Sequence, residues 1–110
     1  MHLANGDKAI VDIRKLSDYV LNQNHIRGRH KAYVFESVLG FTAEDSEKLR
    51  TLLLRAIVSS EAKLMGEDNY GQRYQVDFAI VTEKAEANVR SAWIIRNDED
   101  FPRFVSCYIL

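Results

Sequence analysis

The fold is decided by the stretch Tyr70-Gly-Gln-Arg-Tyr-Gln-Val-Asp-Phe-Ala-Ile-Val81. Apolar and polar side chains alternate along it, and successive side chains of a β-strand point to opposite faces of a sheet. The alternation therefore predicts a strand with one buried face and one polar face. The predicted buried row consists of Tyr74, Val76, Phe78 and Ile80.

Two further blocks of alternating sequence follow, over Asn88–Arg96 and Arg103–Leu110. With short connections between them, the three blocks predict an antiparallel β-meander. If the apolar rows align, Val76 lies near Trp93 or Ile95, and Trp93 lies opposite Cys107. The predicted inward residues of the second and third strands are Val89, Ser91, Trp93, Ile95, Val105, Cys107 and Ile109.

Two helical segments are predicted near the N-terminus. Asp12 is suited to cap the first, a short helix that ends near Leu21. The second runs from about Arg29 to Leu39, because its apolar residues recur at helical spacing. Gly40 fits the left-handed position that ends such a helix.

A third helix is indicated by both its start signal and its apolar stripe. It follows a capping box, Thr42-Ala-Glu-Asp45, and we expect it to end near residues 59–62. Residues 63–69 are then predicted to be a polar connection. The stripe at helical spacing consists of Leu49, Leu52, Leu53, Ala56 and Ile57.

These elements predict an α+β fold. Two or three N-terminal helices pack on one face of a C-terminal antiparallel β-meander of three to four strands, because the apolar face of the sheet must be covered. A chain of 110 residues has the common size of one domain. We therefore expect residues 1–110 to form a single domain.

Composition and charge narrow the classes of function. The net charge of −1 provides no overall attraction for nucleic acid or anionic lipid. No apolar run approaches the ~20 residues that cross a bilayer, and the N-terminus lacks the pattern of a secretory signal. The one cysteine, Cys107, excludes an intrachain disulfide, and no phosphate-loop or dinucleotide motif occurs. We expect a cytoplasmic protein without a cofactor and without a membrane partner.

The polar face of the predicted sheet is the first candidate site. It gathers three arginines, a carboxylate, an amide, a hydroxyl and a phenol. Arginine binds phosphate oxygens through two parallel hydrogen bonds, so this face could hold a phosphodiester. The alternative is an ordinary solvated face on which arginines pair with carboxylates. The residues concerned are Arg73, Gln75, Asp77, Arg90, Arg96, Ser106 and Tyr108.

The second candidate site is the segment His25–Lys31, which carries the densest positive charge in the chain. Backbone N–H groups at the start of the second helix would add to an anion site there. Histidine titrates near neutral pH, so His30 could act as a general acid or base. The alternative is a solvated helix start that pairs with the acidic segment 44–47. The spacing of the two histidines does not suit a shared metal ion. The cationic residues are Arg27, Arg29, His30 and Lys31.

Several phrases of this sequence resemble a small bacterial domain family of unknown function. The family occurs as stand-alone proteins and as C-terminal modules, and the resemblance assigns no chemistry. It extends over nearly the whole chain. The phrases are Leu16–Asn22, Gly28-Arg-His-Lys-Ala-Tyr-Val-Phe35, Tyr70–Asp77, Val89-Arg-Ser-Ala-Trp-Ile-Ile95, Pro102-Arg103 and Ser106-Cys-Tyr108.

The order of helices and meander also resembles, more loosely, the barnase–EndoU–colicin–RelE nuclease architecture of many bacterial toxin domains. Those ribonucleases need no metal ion and cleave phosphodiesters with side chains around a sheet face. Carried to this chain, the resemblance implies one set of catalytic residues and one set of phosphate-binding residues. The catalytic set would be His30, Lys31, Arg73, Asp77 and Tyr108, and the phosphate-binding set Arg27, Arg29, Arg90, Arg96 and Ser106.

Two classes of function follow. The first is a metal-independent, toxin-like ribonuclease that acts on RNA and is held in check by a small neutralising protein. The second is a non-catalytic module that uses the same sheet face to bind a protein or an anion. A homodimer through the strand Arg103–Leu110 is a further alternative, if that strand is an edge of the sheet.

Overall fold

A computed structural model describes residues 1–110 and has the predicted α+β fold, with the helices first and the strands after them. A 3₁₀ turn over Gly6–Lys8 precedes the helices. Helix α1 (Ile13–Lys15) continues as a π-helical turn over Leu16–Val20. Helix α2 spans Arg29–Leu39, a 3₁₀ turn spans Ala43–Asp45, and helix α3 spans Ser46–Ser59.

The predicted helix ends are confirmed by their hydrogen bonds. The Asp12 carboxylate accepts the backbone N–H of Arg14 at 3.0 Å and so caps α1. Gly40 ends α2 with a φ of 75°. In the capping box, the Thr42 hydroxyl accepts the N–H of Glu44, and Asp45 accepts the N–H of Thr42. The box caps the 3₁₀ turn that leads into α3.

Four strands form one antiparallel sheet in the order β1-β2-β3-β4. They are β1 (Ala62–Asp68), β2 (Gly71–Val81), β3 (Glu86–Arg96) and β4 (Arg103–Ile109). The prediction of a polar connection over residues 63–69 is therefore wrong. Only Ala62 of β1 is buried, because the strand lies at the edge of the sheet, so no alternating apolar row marks it in the sequence.

The register differs from the predicted one between β3 and β4. Ser91, rather than Trp93, lies opposite Cys107, and Trp93 lies opposite Phe104. Between these pairs Val105 has no partner, so β4 contains a β-bulge. The extra residue reverses the alternation of faces, which is why Phe104 points into the core although the alternation within β4 predicts it on the open face. Its ring meets Trp93 edge-on at 5.5 Å between centroids.

The core lies between the inner face of the sheet and the helices. Helix α3 packs against β2, while α2 packs against β3 and β4. Tyr74 lies opposite Trp93, and Val76 lies opposite Ser91 and diagonal to Trp93, close to its predicted neighbour. Ser91 is the buried polar residue of this face. Its hydroxyl donates to the Val76 carbonyl at 2.6 Å and accepts the Trp93 indole N–H at 2.8 Å, which satisfies both groups.

The outer edge of β4 is partly covered by the N-terminal segment. Ile10 pairs with Arg103 in parallel, and its carbonyl accepts the N–H of Phe104 at 2.9 Å. At the opposite edge, β1 has no such neighbour in the sheet. None of the helices combines the length and the apolar content needed to cross a membrane.

Candidate functional site

The open face of the sheet contains a groove of about 290 Å³, near the lower end of the ~300–1,000 Å³ typical of ligand pockets. It extends from β1 across β2, β3 and β4, and Lys31 of helix α2 lines it as well. The sequence predicted that the polar rows of three strands would meet on this face. The groove is lined by Lys31, Met65, Arg73, Tyr74, Gln75, Arg90, Ala92, Trp93, Val105, Ser106 and Tyr108.

Two β-bulges contribute apolar side chains to the walls of the groove. In β1, Leu64 pairs with Tyr74 and Gly66 pairs with Arg73, which leaves Met65 as an extra residue. In β4, Val105 is the extra residue. Both unpaired residues line the groove. A bulge redirects a side chain relative to the regular alternation, and here two bulges on separate strands direct apolar side chains to the same space.

A row of three side chains runs across the sheet at one end of the groove. Asp77 of β2 lies opposite Arg90 of β3, which lies opposite Tyr108 of β4. The Arg90 guanidinium donates to both Asp77 carboxylate oxygens, at 3.0 and 2.9 Å. Asp77 and, after it, the Tyr108 hydroxyl raise the pKa of Arg90, so the guanidinium stays charged. The two-point contact fixes the direction of Arg90 beside Tyr108.

Lys31 reaches the same place from helix α2. Its ammonium nitrogen lies 4.5 Å from the centroid of the Tyr108 ring, which is cation–π geometry. The start of α2 is held by His25, whose Nδ1 accepts the backbone N–H groups of Arg27 and Gly28 at 3.1 and 3.2 Å. His25 thus holds the tight turn that leads into α2.

Arg73 occupies the other end of the groove, beside the β1–β2 hairpin. Its Nε donates to Asp68 at 2.9 Å, and its two Nη groups make no hydrogen bond within the protein. The N–H of Tyr70 and then the Arg73 guanidinium lower the pKa of Asp68. Arg73 is thus anchored through one edge of its fork, and the other edge remains available to a ligand.

The structure brings together five of the ten residues predicted for the site: Lys31, Arg73, Arg90, Ser106 and Tyr108. Asp77 holds Arg90 without lining the groove. Arg27, Arg29 and His30 are exposed around the start of α2 and are not among the lining residues. Arg96 lies at the far end of β3, in a separate cavity of about 100 Å³ shared with Asp12 and Arg103.

Sequence reasoning missed several residues that shape this site. Met65 and Val105 were not predicted because a bulge leaves no periodic signal in the sequence. The role of His25 was not predicted because its ring acts by accepting backbone N–H groups. Cys107 was predicted to be an inward strand residue, and it is buried. Burial raises the pKa of its thiol, so the thiolate that nucleophilic chemistry requires is disfavoured.

Comparison with known proteins assigns the chain to a family and gives no other match. No curated protein and no solved structure matches it. The resemblance to a family of unknown function is confirmed by a family model that matches residues 2–110. The chain belongs to the family described as "Domain of unknown function (DUF6883)".

Proposed function

We propose that the groove on the open sheet face binds RNA and cleaves its phosphodiester without a metal ion. The observation that carries this proposal is the convergence of Lys31, Arg90 and Tyr108, which come from α2, β3 and β4. Two cations around one phenol, with a second arginine along the groove, form a set suited to a phosphoryl group. The looser resemblance to metal-independent toxin nucleases implies chemistry of the same kind.

Each side chain has a role that follows from its position. Arg73 and Arg90 hold the non-bridging phosphate oxygens and stabilise the negative charge that grows on them. In the cleavage step the 2′-hydroxyl oxygen bonds to phosphorus, and the bond from phosphorus to the 5′ oxygen breaks. One proton leaves the 2′ oxygen and one reaches the 5′ oxygen. The 2′ proton passes to solvent water, and the Lys31 ammonium donates a proton to the 5′ oxygen. The hydroxyls of Tyr108 and Ser106 donate hydrogen bonds that orient the phosphate.

His30 and Lys31 both belong to the predicted catalytic set, and the contact of Lys31 with the Tyr108 ring favours Lys31 over His30 as the acid. Asp68 and Asp77 act as positioning residues. Each holds an arginine in place before a ligand arrives, which reduces the ordering that binding would otherwise require.

A non-catalytic binding module is the second candidate, and the same ion pairs favour it. Lys31, Arg73 and Arg90 carry three positive charges, while Asp68 and Asp77 neutralise two of them. The resulting local charge suits one anionic group better than a long polyanion. Such a module would hold an anionic group in the groove and release it unchanged.

The test is cleavage of labelled single-stranded RNA by the purified protein in the presence of a chelator. Tyr108→Phe and Lys31→Met should each lower the cleavage rate by about 10²–10³-fold, the usual effect of removing an acid–base or charge-stabilising group. Tyr33→Phe and Lys84→Met are matched controls, since both residues are exposed and lie outside the groove. Circular dichroism checks that every variant is folded.

Each outcome separates the two candidates. Cleavage that persists in the chelator and falls in both groove variants, with unchanged controls, supports the ribonuclease. RNA binding that depends on Lys31 without cleavage supports the binding module. Neither binding nor cleavage by the folded wild-type protein would reject both candidates for RNA.

A further inference from the structure

A second cavity adjoins the groove on the side of helix α1. It measures about 350 Å³ and is lined by Lys15, Tyr19, Val105 and Ser106. Val105 and Ser106 also line the groove, so the two spaces meet at the bulge of β4. The second cavity thus lies between this bulge and the segment of α1 and the π-helical turn that carries Lys15 and Tyr19.

The two spaces have one pair of side-chain types in common, a lysine and a tyrosine. On one side of the bulge lie Lys31 and Tyr108, and on the other lie Lys15 and Tyr19. Lys15 is exposed and makes no ion pair with a carboxylate. Each side thus offers one ammonium group and one aromatic ring, which are the two elements that bind a nucleotide through its phosphate and its base.

Tyr19 is held in a fixed position by the loop before α2. Its ring lies 4.5 Å from the His25 ring, at 49°. The other support is Gly28, where a β-carbon would lie 3.3 Å from Tyr19 Cε1 and 3.0 Å from its carbonyl oxygen. The side chain is nevertheless more than a third exposed. A ring that is braced by its neighbours and still open to solvent is a preorganised stacking surface.

We propose that the cavity of Lys15 and Tyr19 is a second nucleotide subsite for the strand that occupies the groove. A base of that strand stacks on Tyr19, and the adjoining phosphate pairs with Lys15. This inference rests on the proposed function and specifies its substrate as single-stranded RNA that spans both sides of the bulge. Stacking on a protein ring requires an unpaired base, so a duplex would not fit both subsites.

The test uses 2′-O-methyl oligonucleotides, which cannot be cleaved by attack of the 2′-hydroxyl. Fluorescence anisotropy compares the binding of a dinucleotide and a pentanucleotide to the wild-type protein and its variants. The pentanucleotide should bind more tightly. Tyr19→Leu should weaken pentanucleotide binding about 10-fold, within the range for loss of one stacked base, and leave dinucleotide binding unchanged. Tyr19→Phe keeps the ring and should bind like the wild type.

Further variants separate the subsite from the proposed function. Lys15→Met should weaken the binding of the pentanucleotide only, whereas Lys31→Met should weaken the binding of both oligonucleotides. Lys84→Met is the charge-matched control and should change neither. If Lys31→Met weakens pentanucleotide binding and Tyr19→Leu does not, the second subsite is rejected, and the groove is still supported as a binding site. If Tyr19→Leu weakens pentanucleotide binding and the wild-type protein cleaves no RNA, the subsite is supported and catalysis is rejected. Equal binding of a duplex, or tighter binding of an acidic pentapeptide, would overturn the assignment to single-stranded RNA.

Discussion

Gly71→Ala is predicted to be among the most destabilising single changes on the sheet. Gly71 begins β2 with a φ of 154° and lies opposite Arg96. A β-carbon there would lie 2.8 Å from Arg96 Cα and 2.9 Å from the Ile95 carbonyl carbon, and closer still to the Ile95 carbonyl oxygen. All three are backbone atoms of β3, which cannot rotate away as a side chain can.

The expected loss combines two effects. The φ of Gly71 is rarely adopted by L-residues and costs about 1–3 kcal/mol. The clash with β3 adds about 1–3 kcal/mol, the usual cost of forcing extra volume into packed structure. The sum, about 2–6 kcal/mol, is a large part of the ~5–15 kcal/mol that stabilises a typical domain.

Gly66→Ala is the matched control. Gly66 has a similar φ of 146°, but no heavy atom lies within 4 Å of the position that a β-carbon would occupy there. Gly66→Ala should therefore lose only the stability that the unfavourable φ costs. The difference in unfolding free energy between the two variants, about 1–3 kcal/mol, measures the cost of the clash with β3.

Urea unfolding followed by fluorescence provides the assay, because Trp93 is the only tryptophan and is fully buried. Equal losses in Gly71→Ala and Gly66→Ala would refute the packing argument. A loss below about 1 kcal/mol in Gly71→Ala would refute both parts of it.

Three further predictions concern the core, the thiol and the first helix. Ser91→Ala should lower the free energy of unfolding in urea by about 1–3 kcal/mol, because the buried indole N–H of Trp93 loses its acceptor. The Cys107 thiol should react with a thiol reagent only as fast as the protein opens, and reaction at the rate of a free thiol would contradict its burial. Hydrogen bonds from Arg14 lower the pKa of Asp12 to about 2 from 3.8, so its stabilising effect is complete above about pH 4 and is lost as the pH falls through 2. Asp12→Asn should therefore lose less stability than the wild type between pH 4 and 2 in unfolding measurements.

The parts of the fold that depend on local sequence were predictable. The Thr42–Asp45 capping box, the Gly40 helix end and the alternation of β2 are each encoded within a few neighbouring residues. Such signals need no knowledge of the rest of the chain, because the hydrogen bonds that satisfy a helix end are made within one turn.

The errors have a different physical origin. β1 went unrecognised because a strand exposed on both faces carries no apolar row. Phe104 and Val105 were predicted on the wrong faces of the sheet. The bulge in β4 depends on how β4 pairs with β3, and the alternation of residues within β4 alone does not reveal it. A single unpaired residue is enough to reverse the predicted direction of every side chain before it.

The site was predictable to the extent that it depends on facing strand rows. Arg73 and Arg90 lie on the predicted open face, and Tyr108 lies opposite Arg90. The arrival of Lys31 from α2 depends on how the helix packs beside β4, which the spacing of residues within α2 does not determine.

The bulge at Met65 also affects the free outer edge of the sheet. A long, regular edge strand presents a row of free N–H and C=O groups to which another strand can add. In β1 the extra residue interrupts that row, and charged side chains lie on both sides of it, at Lys63 and Glu67. The irregularity that gives the groove an apolar wall thus also protects the exposed edge of the sheet against pairing with a second chain.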